Sequence, residues 1–523
     1  MRILTRDEIR AVENRAFDGL FTEAQLMERA GLACADKMLA LYGDQMKGQP
    51  VAVVCGNGKN AGDGFVIARR LRAADVPAYI VLADQAPTLP EPLAYYNAAV
   101  EDGVEVRPFS NEAVHAPFVV DCVFGIGFHG APRAPFDTVF AAINDSGATV
   151  IAVDTPSGTD ATTGAAEQAV RADLTIAIST LKYAHVLPPS NGLCGKTVVV
   201  NIGIPESCYR EPYAHTVTKK EVQAALPKLN KNANKGSHGH LLQICGSYRM
   251  PGAAVICAGG ALRTGVGLLK CVCPKSAYPL LAAHLTQPIF EPVTENEQKT
   301  ISMGALTGIL EGLPWADAVV MGCGLGVNDD TSVLVSQVLK ECKKPVLLDA
   351  DGINCLSESI TILQDIHTPV VLTPHPGEMA RLCGKTIERV QADRVGTAGD
   401  FAPRYRGILE FRHHCGVGGA VDFARRYGVI LVLKGADTVI TDGEQVCINR
   451  TGNPGMAMAG CGDLLSGMIG SFLAQGLEPL AAAKAGVYIH GLCGDITARE
   501  LSARGMTVAD MTELLGALMS EFE

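Results

Sequence analysis

Short apolar runs that end in glycine-bearing loops recur through the first half of the chain. Each run has four or five residues, and the loop after the first run leads into a segment with apolar residues at helical spacing. Apolar runs of this length are typical of strands that are buried on both faces of a parallel sheet. The pattern predicts strands at residues 51–55, 78–82, 118–121, 150–154, 174–178 and 197–201.

The pattern restarts in the second half, after residues 206–230, which mix Pro, Lys, Glu and Tyr without clear periodicity. We therefore predict two α/β domains, at residues 1–212 and 220–523, with the boundary near Thr216. Residues 398–420 contain many Gly and Arg and are predicted to be a surface insertion without a chemical role. The second set of predicted strands lies at residues 241–245, 268–273, 318–321, 346–348, 370–372 and 429–433, with a hairpin arm and turn at 439–443.

Composition narrows the class of protein. A chain of 523 residues is too long for a single core, and its 48% hydrophobic content indicates a globular protein. The net charge of −11 indicates that nucleic acid is not a partner. The N-terminus lacks the apolar stretch of a signal peptide, and no apolar run reaches the ~18–20 residues that cross a membrane. We therefore expect a cytoplasmic protein without a membrane partner.

The cysteines predict neither disulfides nor a metal site. The chain has 17 of them but no Cys-x-x-Cys motif, and many lie inside apolar runs such as residues 51–55 and 241–245. Residues 413–415, His-His-Cys, lack the spacing of metal ligands. The cysteines are therefore predicted to be small buried apolar residues in a reducing compartment.

Oxygen-bearing side chains follow three of the predicted strands in the first half. Asn60 and Asp63 lie in the loop after the first strand, Asp121 and Asp154 end two later strands, and Ser157 follows Asp154. The carboxyl ends of parallel strands open onto one crevice, so we expect these oxygens to surround the same space. Oxygen ligands suit hard cations. The sequence therefore predicts a monovalent ion that holds these loops together and a remaining carboxylate that transfers protons.

The glycine-rich segment after the first strand allows a second interpretation. Residues 56–62, Gly-Asn-Gly-Lys-Asn-Ala-Gly, are one residue longer than a dinucleotide-binding fingerprint, and Asp84 lies about 20 residues downstream, where a ribose-binding acid would lie. An NAD-dependent oxidoreductase is therefore an alternative. No Tyr-x-x-x-Lys or similar hydride-transfer pair accompanies the segment.

A glycine-rich loop leads directly into a helical pattern at residues 453–470. Gly460 and Gly462 allow a ligand to approach the backbone closely, and a helix N-terminus attracts phosphates. Asp463 is unusual in such a place because a carboxylate repels phosphate. It is either a helix cap or an acid/base group beside a phosphate-binding loop, and we favour the second interpretation.

Four motifs of the first half together resemble the NAD(P)H-hydrate epimerase family: Leu26-Met-Glu-Arg-Ala-Gly31, Gly56-Asn-Gly-Lys-Asn-Ala-Gly-Asp-Gly64, Val123-Phe-Gly-Ile-Gly127 and Ala152-Val-Asp-Thr-Pro-Ser-Gly158. The chain departs from the family at Lys59 and Ala61, where Asn and Gly are usual. The resemblance implies a Rossmann-like three-layer α/β/α domain, potassium held by Asn60, Asp121 and Ser157, and Asp154 as a catalytic residue. It also implies substrate contacts from Lys59, Asn60, Ala61, Gly62, Asp63, Gly125, Ile126, Gly127, Phe128, His129, Gly130, Ala131 and Asp154.

The second half resembles the ADP-dependent NAD(P)H-hydrate dehydratase family, a relative of the ribokinase-like kinases. The motifs are Lys235-Gly-Ser-His-Gly-His240, Gly260-Ala-Leu-Arg-Thr-Gly-Val-Gly267, Thr373-Pro-His-Pro-Gly-Glu-Met-Ala-Arg-Leu382, Leu433-Lys-Gly-Ala-Asp-Thr438 and Ala459-Gly-Cys-Gly-Asp-Leu-Leu465. The family's usual Gly-Thr-Gly-Asp is Gly-Cys-Gly-Asp here.

This second resemblance implies a ribokinase-like three-layer α/β/α domain that uses magnesium and ADP or ATP. Asp463 is then the base that takes a proton from the substrate hydroxyl. The implied nucleotide-binding residues are Lys434, Gly435, Ala436, Asp437, Thr438 and Gly462, and the implied substrate-binding residues are Ala254, Gly324, His375 and Asp463. His375, between two prolines, is alternatively a rigid turn residue.

The two resemblances cover nearly the whole chain and imply one repair function. Damaged NADH or NADPH carries a hydroxyl at C6 of its nicotinamide ring, and phosphorylation turns that hydroxyl into a good leaving group. The first half is expected to epimerise R- and S-hydrates, and the second to dehydrate the S form with ADP or ATP. The alternative is a ribokinase-like small-molecule kinase fused to an NAD-binding oxidoreductase-like or regulatory domain. We expect small-molecule partners and a homo-oligomer.

Overall fold

A computed structural model describes residues 1–210, 212–396 and 419–523 of the chain. These residues form two compact units, Met1–Ala214 and His215–Glu523, which we call the N-terminal and C-terminal units. Residues 398–418 of the predicted surface insertion lie outside the described residues. Gly419 is the N-cap of a helix that begins at Ala420.

The N-terminal unit is built on a seven-stranded parallel sheet. The strands of the unit are Arg2–Leu4 (β1), Val51–Cys55 (β2), Ala78–Leu82 (β3), Val106–Pro108 (β4), Phe118–Cys122 (β5), Thr149–Val153 (β6), Leu174–Ile178 (β7), Leu181–Lys182 (β8) and Lys196–Val200 (β9). Its helices are Arg6–Phe17 (α1), Glu23–Met46 (α2), Lys59–Arg72 (α3), Pro90–Glu101 (α4) and Phe136–Asn144 (α5). The sheet order is β4-β3-β2-β5-β6-β7-β9, and β1 pairs with β8.

Both faces of this sheet are covered, which explains the fully apolar strand sequences. Along β2, Val51, Val53 and Cys55 pack into one core with α2 and α3, whereas Ala52 and Val54 pack into a second core with α5. Helix α3 begins at Lys59, so Asn60 and Asp63 lie within this helix and not in a loop as predicted. The predicted three-layer α/β/α arrangement of this unit is confirmed.

The C-terminal unit has a mostly parallel sheet. Its strands are Ala214–Thr216 (β10, whose first residue still belongs to the N-terminal unit), His240–Ile244 (β11), Leu268–Pro274 (β12), Ile289–Val293 (β13), Ala318–Met321 (β14), Val346–Leu348 (β15), Val370–Leu372 (β16), Ile430–Leu433 (β17), Thr438–Thr441 (β18) and Val446–Asn449 (β19). The order is β13-β12-β11-β14-β15-β16-β17-β18-β19-β10. Strand β18 is antiparallel to β17 and β19, which confirms the predicted hairpin arm.

The helices of the C-terminal unit include a central apolar one that packs against the sheet. They are Lys219–Ala225 (α6), Pro251–Arg263 (α7), Tyr278–Ala282 (α8), Leu306–Gly312 (α9), Asp329–Glu341 (α10), Asp351–Leu356 (α11), Pro376–Cys383 (α12), Ile387–Ala392 (α13), Ala420–Tyr427 (α14), Cys461–Ala474 (α15), Pro479–Leu501 (α16) and Val508–Met519 (α17). Helix α15 buries Leu464, Met468 and Phe472 in one core with α7 and α16. That burial fixes the N-terminus of α15 at the carboxyl ends of the strands.

The only tryptophan of the chain belongs to the C-terminal unit. The rings of Trp315 and His240 are stacked, with centroids 4.9 Å apart and planes inclined by 11°. The Nζ of Lys270 lies 4.6 Å from the centroid of the Trp315 ring, within the range of a cation–π contact. The indole is therefore in contact with two basic side chains.

All sixteen cysteines in the described ranges are buried free thiols, as the sequence predicts. Within the same ranges, the structure contains no helix of the length and apolar character that crossing a membrane requires.

Candidate active sites

A cavity of about 510 Å³ lies at the carboxyl edge of the N-terminal sheet. Of the strand-end side chains expected to surround one crevice, Asn60, Asp63 and Asp154 line this cavity, whereas Asp121 and Ser157 do not. The predicted residues that line it are Lys59, Asn60, Asp63, Gly125, Ile126, Gly127, Phe128, His129 and Asp154. The predicted Ala61, Gly62, Gly130 and Ala131 are not among the lining residues, and a Cβ on Gly62 would lie 2.2 Å from the Sδ of Met27.

Asp121, one of the three predicted ion ligands, is fully buried at the end of β5. Its carboxylate accepts hydrogen bonds from the Ser157 hydroxyl at 2.6 Å, the Ser157 N–H at 2.8 Å and the Val123 N–H at 3.2 Å. Burial nevertheless raises the pKa of Asp121 to about 6. The third predicted ligand, Asn60, donates to the Val153 carbonyl at 3.4 Å. Asp121 and Ser157 are thus in direct contact, in a setting where a positive charge would stabilise the carboxylate.

Asp154 forms a buried ion pair with Lys182, a residue that the sequence analysis did not identify. The Lys182 ammonium also donates to the Ile178 carbonyl at 2.7 Å and the Thr180 carbonyl at 3.2 Å. Asp154 has a φ of +67°, which is uncommon for a residue other than glycine. His185 contacts the Asp154 carbonyl through Nε2 at 2.7 Å. Several contacts therefore hold this carboxylate in one position on the cavity wall.

Two further carboxyl groups, Asp63 and Glu13, line the same cavity. Burial, followed by the charge of Asp154, raises the pKa of both groups, and that of Asp63 is raised well above its ordinary value. Burial therefore favours the protonated form of Asp63, and the charge of Asp154, a carboxylate paired with lysine, acts in the same direction. Neighbouring carboxyl groups that differ in this way can act as an acid and a base.

In the C-terminal unit, the ends of two strands bring a lysine and an aspartate together. The Nζ of Lys434, after β17, lies 2.6 Å from the Oδ1 of Asp349, after β15. The Ser466 hydroxyl in α15 donates to the Oδ2 of Asp349 at 2.7 Å. A Cβ on Gly462 would lie 3.1 Å from the Lys434 Nζ and 3.4 Å from the Asp349 Oδ2. The absence of a side chain at Gly462 keeps the backbone at the start of α15 close to this ion pair.

Asp463 is the third residue of α15 and is not its cap. The N-cap is Gly460, with a φ of +91°, and no side chain caps this helix. The alternative interpretation of Asp463 as a cap is therefore wrong. Burial, then the nearby Cys323 and Asp349, raise the pKa of Asp463 to about 9. A carboxyl group with a strongly raised pKa beside a lysine and a helix N-terminus is a candidate proton acceptor for phosphoryl transfer.

The predicted nucleotide-binding residues after β17 form a tight turn. Gly435 has a φ of +142° and Asp437 a φ of +53°, and the Thr438 hydroxyl donates to the Gly435 carbonyl at 3.0 Å. Buried Arg394 donates to the Leu433 carbonyl at 3.0 Å, and a Cβ on Gly435 would lie 3.0 Å from its Nη1. The sequence analysis did not identify Arg394, because it is remote in sequence from the turn that it supports.

The remaining predicted substrate residues have different surroundings. The Nδ1 of His375 accepts hydrogen bonds from the Gly377 and Glu378 N–H groups at 3.0 and 3.3 Å, so His375 caps α12. Gly324 has a φ of +64°. Ala254 is fully buried in α7. Substrate contact by His375, Gly324 and Ala254 stays a prediction, and His375 also has the structural role of a turn residue.

Comparison with known proteins identifies both units. The family model described as NAD(P)H-hydrate dehydratase matches residues 241–516, and the model described as YjeF-related protein N-terminus matches residues 23–184. A bifunctional NAD(P)H-hydrate repair enzyme of Moorella thermoacetica is 34% identical over 514 residues, covering 95% of this chain and 92% of that protein. The chain belongs to the bifunctional NAD(P)H-hydrate repair enzyme family.

Other members of the family show the same full-length similarity. The enzyme of the same description from Coxiella burnetii is 34% identical, covering 98% of both chains.

A solved structure is similar to part of the chain. A crystal structure of an ADP/ATP-dependent NAD(P)H-hydrate dehydratase from Bacillus subtilis, co-crystallized with ATP/Mg²⁺, covers 59% of this chain and 99% of that one, with 27% identity and a TM-score of 0.47. Similarity to repair enzymes along the whole chain supports the repair interpretation and not the alternative of a kinase fused to an oxidoreductase-like or regulatory domain.

Proposed function

We propose that the chain repairs hydrated NADH and NADPH in two reactions. The N-terminal site interconverts the R- and S-hydrates, and the C-terminal site dehydrates the S-hydrate with ADP or ATP. The observation that carries the proposal is Asp463, a buried carboxyl group with a pKa of about 9 at the N-terminus of α15, beside the Lys434–Asp349 ion pair. Family membership along the whole chain supports both halves.

In the N-terminal site, Asp63 and Asp154 divide the acid and base roles. Asp63 donates its proton to the C6 hydroxyl, which leaves as water with the electron pair of its C–O bond. Asp154 then removes a proton from a water molecule that adds to the opposite face of the ring, and that proton returns to Asp63. One water leaves and one is added, so the substrate changes only in configuration. Lys182 positions Asp154 through the buried ion pair.

The donor set of Asn60, Asp121 and Ser157 fits potassium. All three side chains offer oxygen atoms, which hard cations prefer as ligands. Burial raises the pKa of Asp121 because it disfavours the ionised carboxylate, and a cation bound beside the carboxylate would stabilise that ionised form. Potassium, when bound, supplies positive charge that fixes the strand ends around the substrate. Asp121→Asn should reduce epimerisation and its response to potassium while dehydration continues. Epimerisation that is equally fast without potassium, in the wild type and in the variant, would exclude this role.

In the C-terminal site, Asp463 first releases its own proton, since its pKa of about 9 keeps it protonated at neutral pH. The ionised carboxylate then removes the proton of the C6 hydroxyl, and the oxygen of that hydroxyl attacks the terminal phosphoryl group of the nucleotide. Phosphate then leaves with the electrons of the C6–O bond, and loss of the C5 proton restores NADH or NADPH. Gly462 and Lys434 are placed to hold the transferring phosphoryl group, through a backbone N–H and an ammonium group. Magnesium, when bound with the nucleotide, would neutralise phosphate charge. Asp349 forms an ion pair with Lys434 and accepts a hydrogen bond from Ser466.

The direct test uses purified full-length protein with R- and S-NADH hydrate and either ADP or ATP. The expected result is NADH with release of phosphate, consumption of the S-hydrate, and consumption of the R-hydrate only while the N-terminal site is active. Phosphorylation of a sugar or vitamin with no consumption of hydrate would contradict the proposal. A matched control replaces Asp463 by Asn, which should stop dehydration and leave epimerisation intact.

We also propose that the protein is a cytoplasmic homo-oligomer that binds no nucleic acid. The net charge of −11 supports the last point, since a polyanion would be repelled. Light scattering of the purified protein alone measures the number of subunits. Light scattering after duplex DNA is added tests whether the protein binds nucleic acid.

A further inference from the structure

Three thiols lie close together in the C-terminal unit, next to Asp349 and Asp463. Cys245 follows β11, Cys257 lies in α7 and Cys323 follows β14, and all three are buried. Their sulfur atoms lie within 4.8 Å of one another. We call these three residues the thiol cluster. Neither the proposed reactions nor the predicted site residues use it.

The backbone brings Cys245 and Cys323 within the range of a disulfide. Strands β11 and β14 are parallel neighbours with Ile244 opposite Met321, and the Gly246 N–H donates to the Cys323 carbonyl at 2.8 Å. Neighbouring strands are about 4.8 Å apart, and disulfides join residues whose Cα atoms are roughly 4.4–6.8 Å apart. A bond between these two sulfurs therefore requires side-chain movement but no change in strand pairing.

The thiol cluster differs from another pair of cysteines in the chain. Burial alone would raise the pKa of Cys245, but hydrogen bonds from the Cys257 and Cys323 thiols lower it to about 6. Cys55 and Cys122 face each other on β2 and β5 of the N-terminal sheet, and burial raises the pKa of both. A thiolate is the reactive form of cysteine, so of these two groups the thiol cluster is the one in which closely spaced sulfurs include a thiol with a lowered pKa.

Cys323 links the thiol cluster to the catalytic carboxyl group. Its sulfur, with the carboxylate oxygens of Asp349 and Asp463, forms a second group whose atoms lie within 4.8 Å of one another. Cys323 lies between Gly322 and Gly324, whose φ angles of +126° and +64° leave little tolerance for backbone change. Movement of this sulfur toward Cys245 would thus alter the surroundings of Asp463. Asp463, beside Cys323, is only partly buried.

We propose that the thiol cluster is an oxidation site, at which hydrogen peroxide joins Cys245 and Cys323 in a disulfide and reversibly stops the reaction at Asp463. The effect on activity rests on the proposed dehydration. The Cys245 thiolate attacks a peroxide oxygen, the O–O bond breaks, and the protonated leaving oxygen departs as water, leaving a sulfenic acid. The Cys323 sulfur then attacks the Cys245 sulfur, the S–O bond breaks, and a second water leaves. The two sulfurs together supply the two electrons that reduce the peroxide.

The test exposes the full-length protein to hydrogen peroxide, blocks free thiols with an alkylating reagent and maps disulfides by peptide mass spectrometry. We expect a Cys245–Cys323 disulfide, at least roughly tenfold loss of NADH-hydrate dehydration, and recovery with dithiothreitol. Cys245→Ser should resist both changes, with Cys245→Ala as a second variant if the serine variant folds poorly. Cys273→Ser is the matched control, since Cys273 is a buried thiol of β12 outside the thiol cluster, and it should remain sensitive.

Two results would overturn the inference: no Cys245–Cys323 disulfide after peroxide treatment, or equal loss of activity in Cys245→Ser and the wild type. A disulfide that forms without any loss of dehydration would overturn its effect on the site. If untreated protein dehydrates no hydrate at all, the proposed function fails, and the disulfide map still decides whether the thiol cluster oxidises.

Discussion

Replacement of Asp463 by Asn should stabilise the C-terminal unit while it strongly slows dehydration. The pKa of Asp463 is raised from an ordinary value of 3.8 to about 9, mainly by burial and then by Cys323 and Asp349. At neutral pH the folded protein therefore holds a proton that the unfolded chain has released. For a carboxyl group with a raised pKa in the folded state, stability falls as pH rises from about 4 to about 9. Asparagine has no proton to lose, so the variant escapes this cost.

The magnitude follows from the interval between the ordinary pKa and the pH of the assay. Each pH unit above 3.8 costs about 1.36 kcal/mol while the folded state stays protonated, so at pH 7 the upper limit is roughly 4 kcal/mol. We expect a gain of about 2–4 kcal/mol in the free energy of unfolding. For a unit of about 300 residues this corresponds to a rise in melting temperature of roughly 3–6 °C.

Thermal unfolding of the wild type and of Asp463→Asn across a pH series provides the measurement. The difference in stability should be close to zero near pH 4 and should grow as pH rises toward 9. Exposed Asp365→Asn is the matched control and should change stability by less than about 0.5 kcal/mol at each pH. Dehydration by Asp463→Asn should fall by about 10²–10⁴-fold, the usual loss when a general base is removed.

Two outcomes would refute this reasoning. An Asn variant that is less stable than the wild type at pH 7 would show that the folded protein favours an ionised Asp463. Near-normal dehydration by the variant would show that a different group accepts the hydroxyl proton.

Further predictions concern other parts of both units. Lys182→Met should slow epimerisation by about 10²-fold or more and leave dehydration unchanged, because Asp154 loses its buried partner; equal epimerisation rates would contradict a positioning role. Gly462→Ala should raise the KM for ADP by roughly tenfold because its Cβ reaches the lysine–aspartate pair, whereas Gly308→Ala, with open space around its Cβ, should have no effect on that KM. Fragments ending at Ala214 and beginning at His215 should each unfold cooperatively in calorimetry, and aggregation of both would contradict two independent cores.

The strands and the crevice could be predicted from the sequence because the signals are local. The run Val51–Cys55 is apolar at each position since both of its faces are covered, and a strand followed by glycine and carboxylate needs no distant information. Asp121 and Ser157 were predicted from two such strand ends, and the structure brings them into contact at 2.6 Å.

The partners of the site residues could not be predicted in the same way. Lys182 reaches Asp154 only through the pairing of β6 with β7 and the short turn into β8, and its sequence context has no local signal. The start of α3 also differs from the prediction, because this helix begins at Lys59 within a glycine-rich segment that is predicted to be a loop. Glycine weakens helix propensity, but tertiary packing of the following apolar residues overrides it.

The lone tryptophan makes the chain its own optical reporter. Indole emission, excited selectively over tyrosine, comes from Trp315 alone and so follows the C-terminal unit without any label. Loss of the stacked imidazole of His240 on unfolding changes the quenching of that emission, while far-ultraviolet circular dichroism registers the helices of both units. A chemical denaturation followed by both signals therefore separates the two transitions in one intact molecule, and coincident curves would reveal that the units unfold as one.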